Sequence, residues 1–117
     1  MAKLTPTDSL YKTLTHLAET IDERANGNTS DQPSYTAKLL SAGPSKCAKK
    51  MGEEAIETVL AIASESDQEV ADETADLLYH LFVALRSRGI SLDSVGESLA
   101  KRQGMSGIVE KQNRTNS

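Results

Sequence analysis

A chain of 117 residues, 38% apolar and 26% charged, is expected to fold as one soluble domain with a modest core of its own. Its net charge of −4 and pI near 5.1 disfavour a general nucleic-acid binder, which carries a basic surface. A single cysteine, Cys47, excludes an internal disulfide and a cysteine-rich zinc site, and 3% aromatics with no Trp leaves a core of Leu, Ile, Val and Ala, which suits packed helices.

The opening residues "MAKLTPTDSL" lack the apolar core of a secretory signal, so a cytoplasmic protein is expected, in keeping with the lone cysteine. Leu10, Leu14, Leu17 and Ile21 then recur at spacings of four, three and four, the pattern of an amphipathic helix, with Asp8 as its N-cap. That helix is expected to stop in the loop "ANGNTSDQPS". "YTAKLLSAGPSK" allows a short helical turn over 36–40 and breaks at Gly43-Pro44. Ser45 is expected to cap a long helix running to about residue 64, and Ser66 or Asp67 another reaching about residue 87. Gly89 marks the next turn, Ser91 the next cap, and residues 92–102 the last helix. The tail has little apolar content, and 108–117 is expected to be flexible. No strand pattern and no repeat of fixed period is found. The expected fold is all-α: four main helices in a single domain over 1–117, the bundle completed by dimerisation. The longest apolar-looking run, 77–85, includes His80 and falls far short of the roughly 20 residues a membrane span needs.

A helix advances about 100° per residue, so phase can be counted. Glu53, Glu54 and Glu57 share a stripe about 140° wide with Lys46, Lys49 and Lys50. Ile56, Val59, Leu60, Ile62 and Ala63 take most of the remaining circumference and are expected to be core. On the following helix Glu69, Glu73, Asp76 and His80 share one face, while Leu77, Leu78, Leu81, Phe82, Ala84 and Leu85 lie elsewhere. Two readings stay open. A charged stripe is ordinarily a solvated face. Against that, little of the first helix is free to meet water, and like charges at i,i+3 and i,i+4 cost a few tenths of a kcal/mol per pair. Carboxylates gathered in a partly buried place need a cation, and an oxygen-only set suits Mg²⁺ or Mn²⁺. The three lysines lie near a helix N-terminus, which attracts phosphate; they also serve, on the plainer view, as surface charges balancing the acids. Carboxylates, metal and a phosphate-binding end together are a layout for hydrolysing a phosphoanhydride.

"EEAIE" followed by "ETAD" reads E-E-x-x-E…E-x-x-D and resembles the signature of the all-α nucleotide pyrophosphohydrolases. The surrounding "SYTAKLLSAGPSKCAKKMGEEAIE", "ETADLLYHLFVALRSRGISLDSV" and "KRQGMSGIVEKQNR" are similar to the phosphoribosyl-ATP pyrophosphohydrolases of histidine biosynthesis, over about 10–114. The resemblance implies cleavage of phosphoribosyl-ATP between its α and β phosphates, giving phosphoribosyl-AMP and pyrophosphate. It implies Mg²⁺ held by Glu54, Glu57, Glu73 and Asp76, with Glu53 a further ligand or the base that orients water. Glu53 and Glu57 are thereby placed at the chemistry, and Lys46, Lys49 and Lys50 at the substrate phosphates. It also implies a homodimer with helices of both subunits in one core. Nothing of the length of a fused cyclohydrolase is present, so a stand-alone enzyme is expected. Two alternatives remain: a house-cleaning nucleoside triphosphate pyrophosphohydrolase, which shares the acidic motif, and a non-catalytic helical dimerisation module. The flanking stretches favour the histidine-pathway enzyme over the house-cleaning one.

Smaller features divide less sharply. His80 is either a satisfied core residue or a donor to a carboxylate, and Tyr79 is expected in the core. Cys47, beside lysines but without an acid–base partner, is expected to be passive. Ser34, Tyr35 and Thr36 either order a loop over substrate or cap a helix. Arg102 with Ser106-Gly107 either reaches phosphates of a neighbouring subunit or closes a helix.

Overall fold

The structure, a computed structural model, describes residues 3–27 and 34–103. The described residues form five α-helices and no strand: α1 Asp8–Ala25, α2 Tyr35–Ala42, α3 Pro44–Ser64, α4 Asp67–Ser87 and α5 Leu92–Arg102. The all-α expectation holds, with one helix more than expected. The short turn foreseen over 36–40 is a full two-turn helix, because the Ser34 hydroxyl accepts the Ala37 N–H at 3.2 Å and caps it. The start of α3 also differs from expectation. Gly43 at φ 95°, a conformation that favours glycine, delivers Pro44 as the first helical residue, where its missing N–H costs nothing. Ser45 therefore lies inside the helix rather than capping it. In α1, Thr7 holds the N-cap position and Asp8 stands in the first turn, favourably placed on the helix dipole.

The remaining boundaries follow local chemistry. Ser66 caps α4, accepting from the Glu69 N–H at 3.2 Å and donating to Glu69 Oε1 at 3.1 Å. The other end of α4 closes through Ile90 N–H to Leu85 C=O (2.9 Å) and Gly89 N–H to Arg86 C=O (3.0 Å), with Gly89 at φ 72°. Ser91 caps α5 by accepting from the Ser94 N–H at 3.2 Å.

Helices α3 and α4, joined by Glu65 and Ser66, form the central αα-hairpin, and α1 and α2 pack against it. The buried cluster is small: Ile21 of α1, Leu39 of α2, Cys47 of α3 and Val83 of α4, with Leu17, Leu40, Tyr79, Phe82 and Ala84 packed around it. Cys47 is structural, its thiol donating to the Leu39 carbonyl at 3.1 Å.

The orientation of α3 reverses an expectation. Ile56, Val59, Leu60 and Ile62, read as core, are 64%, 64%, 56% and 68% exposed, and Ala63 is exposed beside them. The face turned to α4 carries Cys47, Glu54, Thr58 and Ala61. Phase correctly groups residues on a face; it does not say which face meets the neighbouring helix. Residues 28–33 and 104–117, including the expected flexible tail and Ser106-Gly107, lie outside the described residues. No helix among the described residues is long and apolar enough to cross a membrane.

Candidate active site

The inward face of α3 and the facing side of α4 bring three carboxylates together. Glu54 is buried, Glu57 is exposed one turn further along α3, and Glu73 of α4 is half-buried; each offers an oxygen, and these oxygens all lie within 4.8 Å of one another. Two of the oxygens at this site, Glu54 Oε2 and Glu73 Oε2, are buried without a hydrogen-bond partner. A buried carboxylate oxygen left this way is costly. Burial is the first cause that raises the Glu54 carboxyl above its ordinary range; the hydrogen bond and charge of Glu57 follow, Asp76 adds, and His80 partly offsets. Glu73 is raised likewise, by burial first, then Glu57, then the charges of Asp76 and Glu54.

The backbone beneath these carboxylates is pinned by one side chain. The buried Thr58 hydroxyl lies 2.9 Å from the carbonyl oxygen of Glu54, on its own helix, and 3.1 Å from that of Glu73, on α4. Nothing in the motif drew attention to Thr58. Its phase did carry the signal, since it falls on the Glu54 side of α3, between the acids and the helix face that packs.

The other expected site residues arrange around this centre. Lys50 Nζ lies 3.4 Å from Glu53 Oε2 and 3.9 Å from Glu54 Oε1, so it links the rim to the buried acid. The hydrogen bond to Glu53, then that carboxylate's charge, raises the Lys50 ammonium pKa, and Tyr35 adds to it. Glu53 is exposed. Asp76 is also exposed and falls outside the trio, though its charge acts on both Glu54 and Glu73. Lys46 and Lys49 stand exposed in the first two turns of α3.

A second polar network flanks the carboxylates. His80 is buried, and its Nδ1 lies 2.8 Å from the Asp76 carbonyl, which can only accept; Nδ1 therefore carries the hydrogen. Its Nε2 is paired with the Tyr35 hydroxyl at 3.4 Å. Tyr79 and Thr36 share a hydroxyl–hydroxyl hydrogen bond, and the Tyr35 and Tyr79 rings stack at 6.4 Å and 19°. His80 is thus the satisfied core residue of the two readings, and Ser34 and Thr36 have structural partners within the described chain. A cavity of about 350 Å³ opens between α1, the end of α4 and the start of α5. It is lined by Ile21, Phe82, Leu85, Arg86 and Leu92 among others, and by none of the carboxylate-site residues.

The donor set can be tested against a cation on its own terms. Three carboxylates with oxygens this close, two of them with buried unsatisfied oxygens, repel one another unless a positive charge sits between them. All donors are oxygen, which fits a hard divalent ion of the Mg²⁺ or Mn²⁺ kind. The residues present therefore fit a divalent cation.

Comparison with known proteins bears on the same region. The family model described as phosphoribosyl-ATP pyrophosphohydrolase matches residues 14–103. "Phosphoribosyl-ATP pyrophosphatase 1" of Rhodopseudomonas palustris is 48% identical over 102 residues, covering 87% of this chain and 94% of the relative. The protein of the same name from Bradyrhizobium diazoefficiens is 50% identical over 102 residues with the same coverage. "Phosphoribosyl-ATP pyrophosphatase" of Caulobacter vibrioides is 49% identical over 105 residues, covering 90% of this chain and 95% of the relative.

Proposed function

The chain belongs to the phosphoribosyl-ATP pyrophosphohydrolase family, and from that premise we propose that it hydrolyses phosphoribosyl-ATP to phosphoribosyl-AMP and pyrophosphate at the α3–α4 carboxylate site, the second step of histidine biosynthesis. The observation that carries the placement is the pair of buried, unpartnered oxygens on Glu54 and Glu73, converging with Glu57. In this reading Glu54, Glu57 and Glu73 hold Mg²⁺, or Mn²⁺ in its place, and Asp76 completes the set from α4. The bound ion supplies charge neutralisation at the phosphate oxygens and a lowered pKa for water.

The chain's own groups do the rest. Lys50 is held between Glu53 and Glu54, where an arriving phosphate competes for its ammonium. Lys46 and Lys49 extend that positive edge toward the start of α3, whose free N–H groups favour an anion. Glu53, exposed at the rim, accepts a proton from the attacking water and orients its lone pair, while one water adds across the α–β phosphoanhydride. His80, with its Nδ1 hydrogen directed at the Asp76 carbonyl, ties that turn of α4 to Tyr35.

The active form in this reading is a cytoplasmic homodimer of single-domain chains. Ile56, Val59, Leu60 and Ile62 form an apolar stripe on the outer face of α3, more than half exposed. Fully burying such a side chain yields about 1.5–3 kcal/mol, so covering the exposed part of the four stabilises each protomer by roughly 4–8 kcal/mol. A second copy's matching stripe is the cover. The deciding experiment measures pyrophosphate release from phosphoribosyl-ATP and from a panel of nucleoside triphosphates, with and without Mg²⁺. Release confined to phosphoribosyl-ATP and dependent on Mg²⁺ supports the reading. Preference for other triphosphates replaces it with a house-cleaning activity, and no release from any substrate replaces it with a non-catalytic module.

A further inference from the structure

We propose that Thr58 is the positioning residue of the cation site: its hydroxyl clasps the main chain of Glu54 to that of Glu73 and so sets the distance between their carboxylates. The inference rests on the metal-binding reading above. Its starting point is a coincidence of residues. Among the described residues, the side chains with buried, unpartnered oxygens are those of Glu54 and Glu73. The two carbonyls reached by Thr58 Oγ1, at 2.9 and 3.1 Å, belong to the same two residues.

A threonine bonded to the carbonyl four residues back on its own helix is common, and alone it says nothing. The bond to Glu73 is different, because it crosses from α3 to α4. One hydroxyl hydrogen serves both acceptors, so its optimum lies where the two carbonyls converge on Oγ1. The β-branched side chain has few rotamers, which fixes that point relative to α3. Without a cation the carboxylates of Glu54, Glu57 and Glu73 push the two helices apart. The clasp opposes this at the level where the push is exerted. With the spacing held in advance, a cation meets ligands already in place, and groups that orient metal ligands typically change affinity by about 10- to 100-fold when removed.

Thr58→Val keeps the shape of the side chain and removes the hydroxyl. Thr58→Ser keeps the hydroxyl and removes the methyl. Calorimetric titration of Mg²⁺ alone into the full chain reads the effect without any turnover. The expected result is about tenfold weaker Mg²⁺ binding by Thr58→Val, with Thr58→Ser close to wild type. The rise in melting temperature on adding Mg²⁺ falls in step, since each protein serves as its own metal-free reference. A Thr58→Val chain that melts lower yet binds Mg²⁺ with wild-type affinity overturns the proposal and leaves Thr58 a packing residue. If Thr58→Val does not fold, Thr58→Ala against Thr58→Ser makes the same comparison, and equal affinities again overturn it. A wild-type chain that takes up no Mg²⁺ overturns the metal reading and this inference together, whereas a binding wild type with an unaffected variant overturns this inference alone.

Discussion

Replacing Glu54 by Gln removes a charge from the floor of the carboxylate site and keeps the side chain's shape. The oxygens of Glu54 and Glu57 lie within 4.8 Å. At that separation two unit charges repel by about 0.9 kcal/mol in a water-like dielectric and about 3.5 kcal/mol at an effective dielectric of 20. Glu57 is open to solvent, so the lower end applies, about 1 kcal/mol. For a domain of this size that shifts the melting temperature by about 4 °C. Lys50 loses only its longer contact, at 3.9 Å, and keeps Glu53 at 3.4 Å. At pH 8 in EDTA, Glu54→Gln is therefore expected to melt about 4 °C above wild type. In Mg²⁺ at about a hundred times its dissociation constant, wild type gains about 2.7 kcal/mol, or roughly 10 °C. The variant, short of one ligand, gains much less, so the order of the two proteins reverses. Thermal melts of both proteins across a Mg²⁺ series check this. A variant that melts below wild type by the same margin in EDTA and in Mg²⁺ would refute the reasoning, because Glu54 would then be a satisfied structural acid.

Glu57→Gln is expected to keep the fold and lose at least a hundredfold in kcat in steady-state assays, since in the proposed reading it withdraws a metal ligand. Lys50→Ala is expected to raise KM with kcat little changed, because in the same reading it removes a phosphate partner and leaves the carboxylates in place. The raised carboxyls of Glu54 and Glu73 mean that the folded chain binds their protons more tightly than the unfolded chain, whose ordinary value is 4.5. Their contribution to metal-free stability is therefore best in mild acid and is lost as pH rises from about that value through the raised ones, and the melting-temperature difference between Glu73→Gln and wild type in EDTA should widen in the variant's favour from pH 4.5 to 8. Ile56→Glu places a charge in the outer stripe of α3, and if that stripe is the proposed dimer seam the variant is expected to sediment as a monomer at micromolar concentration where wild type sediments as a dimer.

Several helix limits are legible because the stop or start is a local event. Ser66, Ser91 and Gly89 act through hydrogen bonds a few residues away, and each is found where its residue type points. Helix α2 was underread because its length depends on the single Ser34 cap, which a short window ranks no higher than a loop serine. The trio of Glu54, Glu57 and Glu73 was legible from phase together with the motif, since a shared face is a local property of each helix. Asp76 was grouped with them by the same count, yet it stands exposed outside the trio. The phase of Thr58 places it on the Glu54 side of α3, but its bond to Glu73 crosses between helices and is not legible, and the Tyr35–His80 pair depends on a contact between helices distant in the chain.

The reversed orientation of α3 and the presence of the site have one physical cause. Carboxylates on two helices can share a cation only if the helix axes come close, and axial separation follows the bulk of the residues between them. The interface therefore carries Cys47, Thr58 and Ala61, and Ala61 has no exposure at all. Isoleucine or leucine at those positions would hold Glu54 and Glu73 apart. The bulky side chains that an amphipathic helix would ordinarily bury against its neighbour are instead on the outer face, at Ile56, Val59, Leu60 and Ile62. The inward face so built contributes little apolar burial and adds electrostatic repulsion. In the proposed reading a cation on the inner face and a second copy on the outer face would each relieve one side of the same helix, which would tie stability, assembly and catalysis to the residues of α3.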